Sequence, residues 1–309
     1  MPDSSAGHHV NVPMIAWMSG ALVSFVIAAV AIRNLGAALS VFEINMVRTG
    51  GGLAILLAMV VANPVLARDI VWSEALAHLP RNVVHAAGGL LWTLSITLLP
   101  LATVFALEFT APAWAALLAY GILGERIGPR RAIGIGACLV GVLVVLRPSP
   151  ATFQLTALLP LGAAFCFALS LLLMRKLVLS RSVFAILFWT MALQFPINLA
   201  GALTLGGTDG GGFAWTPAFV AVMASLAVAG LFSQYCLSKA LSHGQAVSVV
   251  PLDFLRVPLI AVVGWLLYAE PIDLWVLAGV AIIVSGIVYG LFPPRLRARR
   301  PTPDGGRPG

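Results

Sequence analysis

The sequence predicts an all-α membrane protein: ten transmembrane helices arranged as two inverted five-helix repeats. Three observations predict it. Hydrophobic residues fill 60% of the 309 positions, charged residues only 9%, and the mean hydropathy is +1.01. Apolar runs of membrane-spanning length follow one another along nearly the whole chain. The second half repeats the residue pattern of the first. A soluble domain needs roughly a quarter of its residues charged, so a chain this apolar is expected to have lipid as its solvent.

A run of ~17–25 apolar residues crosses the hydrocarbon core as a helix. Such runs lie at 14–32, 41–62, 82–99, 101–123, 132–146, 155–174, 183–205, 216–238, 245–268 and 273–292. Leu99-Pro100-Leu101 and Ser242-His243-Gly244 are short joints with Pro or Gly where tight helix–helix turns need them. Ala29-Val30-Ala31 has the small residues of a cleavage site, yet no Lys or Arg precedes Met14. A signal peptide needs that positive flank, so the first segment is expected to stay.

The net charge of +7 is distributed as membrane topology rather than as a nucleic-acid face. Fourteen of the 18 Lys and Arg, among them Arg68, Arg81, Arg175 and Lys239, fall on the side that holds both termini. Only Arg33 and Arg147 fall on the other, while Arg48 and Arg256 lie inside spans. Positive charge stays cytoplasmic, so both termini are expected inside, in a multi-pass protein of the bacterial inner membrane. The three cysteines sit in separate spans, which gives neither a disulfide framework nor a metal spacing. The Gly-rich stretch from Gly206 to Gly212 contains no Lys and reads as a connector, not a phosphate cradle.

The repeat has two registers. Phe25, Arg33, Ser40, Val41 and Phe42 recur 142 residues later as Phe167, Arg175, Ser182, Val183 and Phe184. Glu108, Phe109, Glu125, Gly134 and Gly141 recur 145 residues later, the first conservatively, as Asp253, Phe254, Glu270, Gly279 and Gly286. Five spans per copy is an odd number, so the second copy crosses in the opposite sense. Inverted repeats are a recurring plan of secondary transporters, with the substrate near the midplane where the halves meet. The units run over 14–148 and 154–292, followed by a disordered basic cytoplasmic tail, 293–309.

FALEFTAPAWAALLAYGILGERIGPRRAIGIGACLVGVLVVLRP, within Ala102 to Pro148, and VVPLDFLRVPLIAVVGWLLYAEPIDLWVLAGVAIIVSGIVYGLF, within Ala246 to Pro293, share one plan. Each has an apolar helix, a Glu after a small residue, and a Gly-spaced helix. They resemble the last two helices per repeat of the EamA-type branch of the drug/metabolite transporter superfamily. The resemblance covers about residues 14–292 and implies that fold, with transport of amino acids, other metabolites or drugs as the activity.

Charges within lipid are costly and usually face a cavity or a partner. The candidates for substrate or proton handling are Glu108, Asp253, Arg48 and Arg256, with Trp92 and Tyr235 as aromatic complements. Structural pairing explains the charges equally well, since Asp253 and Arg256 are spaced to neutralise each other on one helix. Glu43 reads as a first-turn carboxylate favoured by the helix dipole, and Glu125 and Glu270 read the same way at their junctions. Pro112 cannot donate to the carbonyl of Glu108, and Pro251 and Pro258 do the same for Val247 and Phe254. Gly134 with Gly141, and Gly279 with Gly286, are spaced for close helix packing.

The sequence contains no Walker lysine motif, HExxH pair or GxSxG elbow. The expectation is a secondary transporter, not an enzyme, that exports a small amino acid, related metabolite or drug by alternating access. The alternative is an uptake permease for a charged metabolite. A lipid-modifying enzyme ranks lower, because the five histidines read as lying in tails, loops or span ends. The partners implied are a small-molecule substrate and the lipid bilayer, with no cofactor, metal or nucleic acid. Proton coupling and a homodimer are compatible with this reading.

Overall fold

The computed structural model describes residues 12–124, 128–147, 155–178, 182–205, 216–243 and 255–291. These form eleven α-helices and three short 3-10 segments, with no strand among the described residues. The first unit contains α1 (Val12–Leu35), α2 (Val41–Ala62), α3 (Ala75–Leu98), α4 (Leu101–Glu108), α5 (Ala111–Leu123) and α6 (Pro129–Leu146). The second contains α7 (Leu158–Val178), α8 (Val183–Leu205), α9 (Pro217–His243), α10 (Arg256–Tyr268) and α11 (Leu274–Leu291). Among the described residues six segments are long and apolar enough to cross a membrane, α4 and α5 counting together as one; α10 and most of α6 and α11 are shorter apolar helices. Apolar side chains such as Val23, Leu57, Leu139 and Leu266 point outward, as lipid requires.

Local chemistry explains the helix ends. Ser40 accepts from the Glu43 amide at 3.3 Å while its own amide donates to Glu43 Oε2 at 2.7 Å, a full capping box on α2. Its repeat counterpart Ser182 accepts from the Ala185 amide at 3.1 Å, so α8 keeps half the device. Pro100 forces Leu99 to extended backbone and closes α3. Pro112 breaks the fourth apolar run at Phe109–Thr110, where the Thr110 hydroxyl donates to the Leu107 carbonyl at 2.7 Å.

Two expectations need correcting. The helix expected as the third span starts at Ala75, not near residue 82. Arg81, expected at the cytoplasmic side, is buried inside α3 together with His78 and Asn82. His78 is therefore a helix residue rather than a loop residue, and His85 lies in the middle of α3 rather than near its end. Those polar side chains lower the hydropathy of α3 but not its helicity, because α7 and α8 pack against it and α8 satisfies Arg81 and Asn82. The asymmetry of positive charge survives the loss of one residue from the count.

The units pack against each other through matching helices. Gly134 and Gly141 of α6 meet Gly286 and Gly279 of α11 in opposite order along the chain. A Cβ on Gly134 would lie 2.6 Å from the Gly286 carbonyl oxygen, and one on Gly286 would lie 2.8 Å from that of Gly134. Phe42 against Gly201, Gly50 against Phe195 and Gly52 against Met191 order α2 and α8 the same way. Repeat-equivalent helices thus run antiparallel to each other. In addition α1 packs on α9 and α3 on α7, the same pairing with the units exchanged.

Candidate functional site

The break after α4 positions the first group. Glu108 ends α4 and Arg256 opens α10. A carboxylate at a helix C-terminus and a guanidinium at a helix N-terminus each oppose the local dipole, so each needs outside compensation. They supply it to one another: Arg256 Nη2 donates to Glu108 Oε1 at 3.2 Å, between the two units. The Trp92 indole N–H, from α3, donates to Glu108 Oε2 at 2.8 Å. Phe25, Phe105 and Phe109 ring the Arg256 guanidinium, with centroids 4.5, 5.2 and 5.0 Å away. Aromatic faces attract a desolvated cation. Glu108, Arg256 and Trp92, expected as site residues, are therefore brought together.

Arg48 belongs to a second group. Its Nη2 donates to Asn45 Oδ1 at 2.7 Å, and Asn45 Nδ2 donates to Thr93 Oγ1 at 2.9 Å, one residue along α3 from Trp92. Thr49 donates to the Asn45 carbonyl at 2.7 Å, and Asn198 of α8 reaches Thr49 Oγ1 at 3.4 Å. Glycines make room for the guanidinium. A Cβ on Gly89 would lie 2.9 Å from Arg48 Nη2, and one on Gly230 of α9 would lie 3.0 Å from its Cγ. Asn45, Thr49, Thr93 and Asn198 are buried, whereas Arg48 stays partly accessible.

A third group centres on Arg81, which was not among the expected site residues. Arg81 Nη1 donates to Thr190 Oγ1 at 2.5 Å and to Asn82 Oδ1 at 3.3 Å, and Gln194 Nε2 donates to the same Asn82 oxygen at 3.4 Å. His78 stacks on Trp189 with centroids 6.0 Å apart. The signal was present in the sequence: Arg81, His85 and Gly89 recur every four residues, which places them on one helix face. Tyr235 joins none of these groups. It packs edge-on against Trp17 at 5.7 Å and lies 5.6 Å from Lys239 Nζ. Asp253 lies outside the described residues. Among the described residues no three His, Cys, Asp or Glu side chains gather as a metal site would require.

With this geometry in hand, comparison with known proteins decides the family. A sequence profile of the EamA-like transporter family matches residues 12–147 and 154–291, two adjoining units that leave out little of the chain. The chain belongs to the EamA-like transporter family. A riboflavin transporter of Rhizobium johnstonii is 33% identical over 229 residues, 72% of each chain. An S-adenosylmethionine uptake transporter of Rickettsia prowazekii is 26% identical over 281 residues, 90% of this chain and 92% of that one. A solved crystal structure superposes with a TM-score of 0.59 at 15% identity, covering 90% of this chain and 96% of the other. That last likeness concerns the fold alone. The protein is a multi-pass membrane transporter rather than an enzyme. Amino acids or drugs as cargo, and export as the direction, find no support among these relatives.

In this EamA-like transporter Glu270 does more than serve its own helix. Asp273 is the residue that caps α11, its Oδ1 accepting from the Trp275 amide at 2.9 Å. Glu270 reaches the first unit instead, accepting from Arg33 at 2.8 Å and from the Leu101 amide at 2.9 Å. Arg33 also donates to the Leu99 carbonyl at 2.5 Å, and the Tyr268 hydroxyl donates to Asn34 Oδ1 at 2.9 Å. Arg147 of the first unit pairs with Asp273, three residues after Glu270. Gly264 leaves space for the Glu270 carboxylate, since a Cβ there would lie 2.6 Å from Oε2. The expectation of a purely local dipole role for Glu270 is thus corrected, while Glu125 lies outside the described residues. Glu270→Gln weakens two charge-assisted bonds and is expected to destabilise the protein by ~1–3 kcal/mol. A drop in the thermal unfolding midpoint in detergent measures this; an unchanged midpoint refutes it.

Proposed function

We propose that this transporter takes up a small, water-soluble metabolite carrying a heterocyclic ring, by alternating access between two units inserted in opposite senses. The observation that carries the reading is the Glu108–Arg256 contact. It joins the broken end of α4 to the start of α10, between units whose equivalent helices pack antiparallel. Broken helices whose ends face one another at the junction of inverted repeats suit a substrate site, because their terminal dipoles and charges are available to a guest. Uptake is preferred to the expected export, because the more fully covered relatives are named uptake transporters. Riboflavin and S-adenosylmethionine, named for the relatives, share a heterocycle and many polar groups, and each suits a pocket with both aromatic and polar walls.

The same reading holds that ten segments cross the membrane, that both termini are cytoplasmic, and that the site of action is the bacterial inner membrane. The antiparallel order of α2 with α8 and of α6 with α11 supports opposite insertion. The charge distribution of the sequence supports the orientation.

Purified protein in proteoliposomes is expected to show saturable uptake of labelled riboflavin or S-adenosylmethionine. Monodisperse, folded protein that moves neither would overturn the proposal.

A further inference from the structure

Arg48 and Arg81 are cations inside the helix assembly, and among the described residues neither contacts a carboxylate. Arg48 has the neutral Asn45 as its hydrogen-bond partner, and its Nε has none. Arg81 has the neutral Thr190 and Asn82, and its Nε also has none. His85 is on the same face of α3 as Arg81 and Gly89, the glycine that lies against Arg48. Its Nδ1 is 3.4 Å from Ser170 Oγ of α7. The Asn198 carbonyl oxygen is likewise buried without a partner beside Thr49. Arg256, in contrast, faces Glu108.

Taking a guanidinium out of water is costly unless an opposite charge and hydrogen bonds replace its hydration. Among the described residues two such groups have neutral partners and no opposite charge, and Gly89 and Gly230 from different units leave the room that the Arg48 side chain fills. Arg48 sits seven residues into α2, on the order of 10 Å from the helix end at 1.5 Å per residue. It is nevertheless the partly accessible member of its group. A site of that description is complete when an anion occupies it. Guanidinium groups recognise carboxylate and phosphate through paired N–H donors.

We propose that the transported metabolite carries an oxyanion, carboxylate or phosphate, and that Arg48 receives it between α2, α3 and α9. Asn198 Oδ1 stands ready to accept from a donor on the same guest. The positive charge of Arg81, farther along the same face of α3, draws the anion along that face. This inference rests on the transport reading above and specifies the cargo of that same pathway.

The test compares matched solutes on the full-length protein in lipid nanodiscs, read by thermal unfolding, and in proteoliposomes, read by uptake. Riboflavin 5′-phosphate is set against riboflavin for the phosphate arm, and S-adenosylmethionine against its decarboxylated form for the carboxylate arm. In at least one arm the member bearing the phosphate or carboxylate is expected to stabilise the protein more than its mate. Arg48→Gln weakens the apparent affinity for that member by on the order of a hundredfold, and Arg48→Lys restores part of it. The larger thermal shift identifies the source of the oxyanion. Equal stabilisation by both members of each pair, no stabilisation by either oxyanion-bearing solute, or a preference that survives in Arg48→Gln overturns the inference. Saturable uptake without anion preference would keep the transport reading and remove the anion site. Anion binding at Arg48 without uptake of any of the four solutes would do the reverse.

Discussion

Glu108→Gln is expected to cut saturable uptake by roughly a hundredfold and to lower the thermal unfolding midpoint, because removing one partner of a buried ion pair costs ~3–5 kcal/mol. The carboxylate holds the Arg256 guanidinium at 3.2 Å and the Trp92 indole at 2.8 Å. Gln keeps the shape and one acceptor but removes the charge that offsets a cation at the start of α10. The indole contact is expected to persist, so the loss should track charge rather than packing. Arg256→Gln is expected to be comparably damaging, and the double variant less so than the two single effects added. A double-mutant cycle on the unfolding midpoint, run beside uptake, measures the coupling. Additive effects would show that the two residues act separately, and wild-type uptake in Glu108→Gln would remove the pair from the transport pathway.

Gly141→Leu is expected to prevent the last helices of the two units from packing, with loss of monodisperse protein. A Cβ at this position would lie 2.8 Å from the Gly279 carbonyl oxygen and 2.5 Å from Ile283 Cγ1. Rotamer changes cannot relieve contact with backbone, so α6 and α11 would have to move apart. Overpacking in a close-packed interior typically costs ~1–3 kcal/mol, and more when the backbone is the obstacle. Gly136 provides the control on the same helix, because a Cβ there meets nothing within 4 Å. Gly136→Leu should therefore behave as wild type in size-exclusion chromatography. Equal behaviour of the two variants would mean that the glycine contact does not hold the units together.

How much of this was readable in the sequence varies with the range of the interaction. The capping box on α2 follows from Ser40 and Glu43 three residues apart. The break after Glu108 follows from a proline four residues on. Both depend on neighbours along the chain: the first-turn place of Glu43 and the freed carbonyl of Glu108 were expected, and the structure adds the full capping box and the break into two helices. The glycine pairs announced a close helix contact through their seven-residue spacing, although spacing alone does not name the partner. The structure pairs them with each other, crossed between units. Arg81 was misplaced because a polar stretch at the end of an apolar run looks the same whether water or a neighbouring helix satisfies it. Here Thr190 and Gln194 of α8 satisfy that stretch. Tyr235 was a reasonable aromatic candidate by composition, but packing turned it toward Trp17 and Lys239.

By itself, then, the sequence determined that the chain is built from apolar helices in two similar units, and it singled out the charges lying within them. These properties follow from transfer free energies and backbone stereochemistry, which accumulate residue by residue. Only the tertiary structure decided which charge meets which. Glu108 is compensated by Arg256, Glu270 by Arg33, and Arg48 by no carboxylate among the described residues. Partners so distant in sequence are chosen by how whole helices pack, through backbone contacts at glycine and the dipoles at helix ends, and that choice leaves no local mark on the chain.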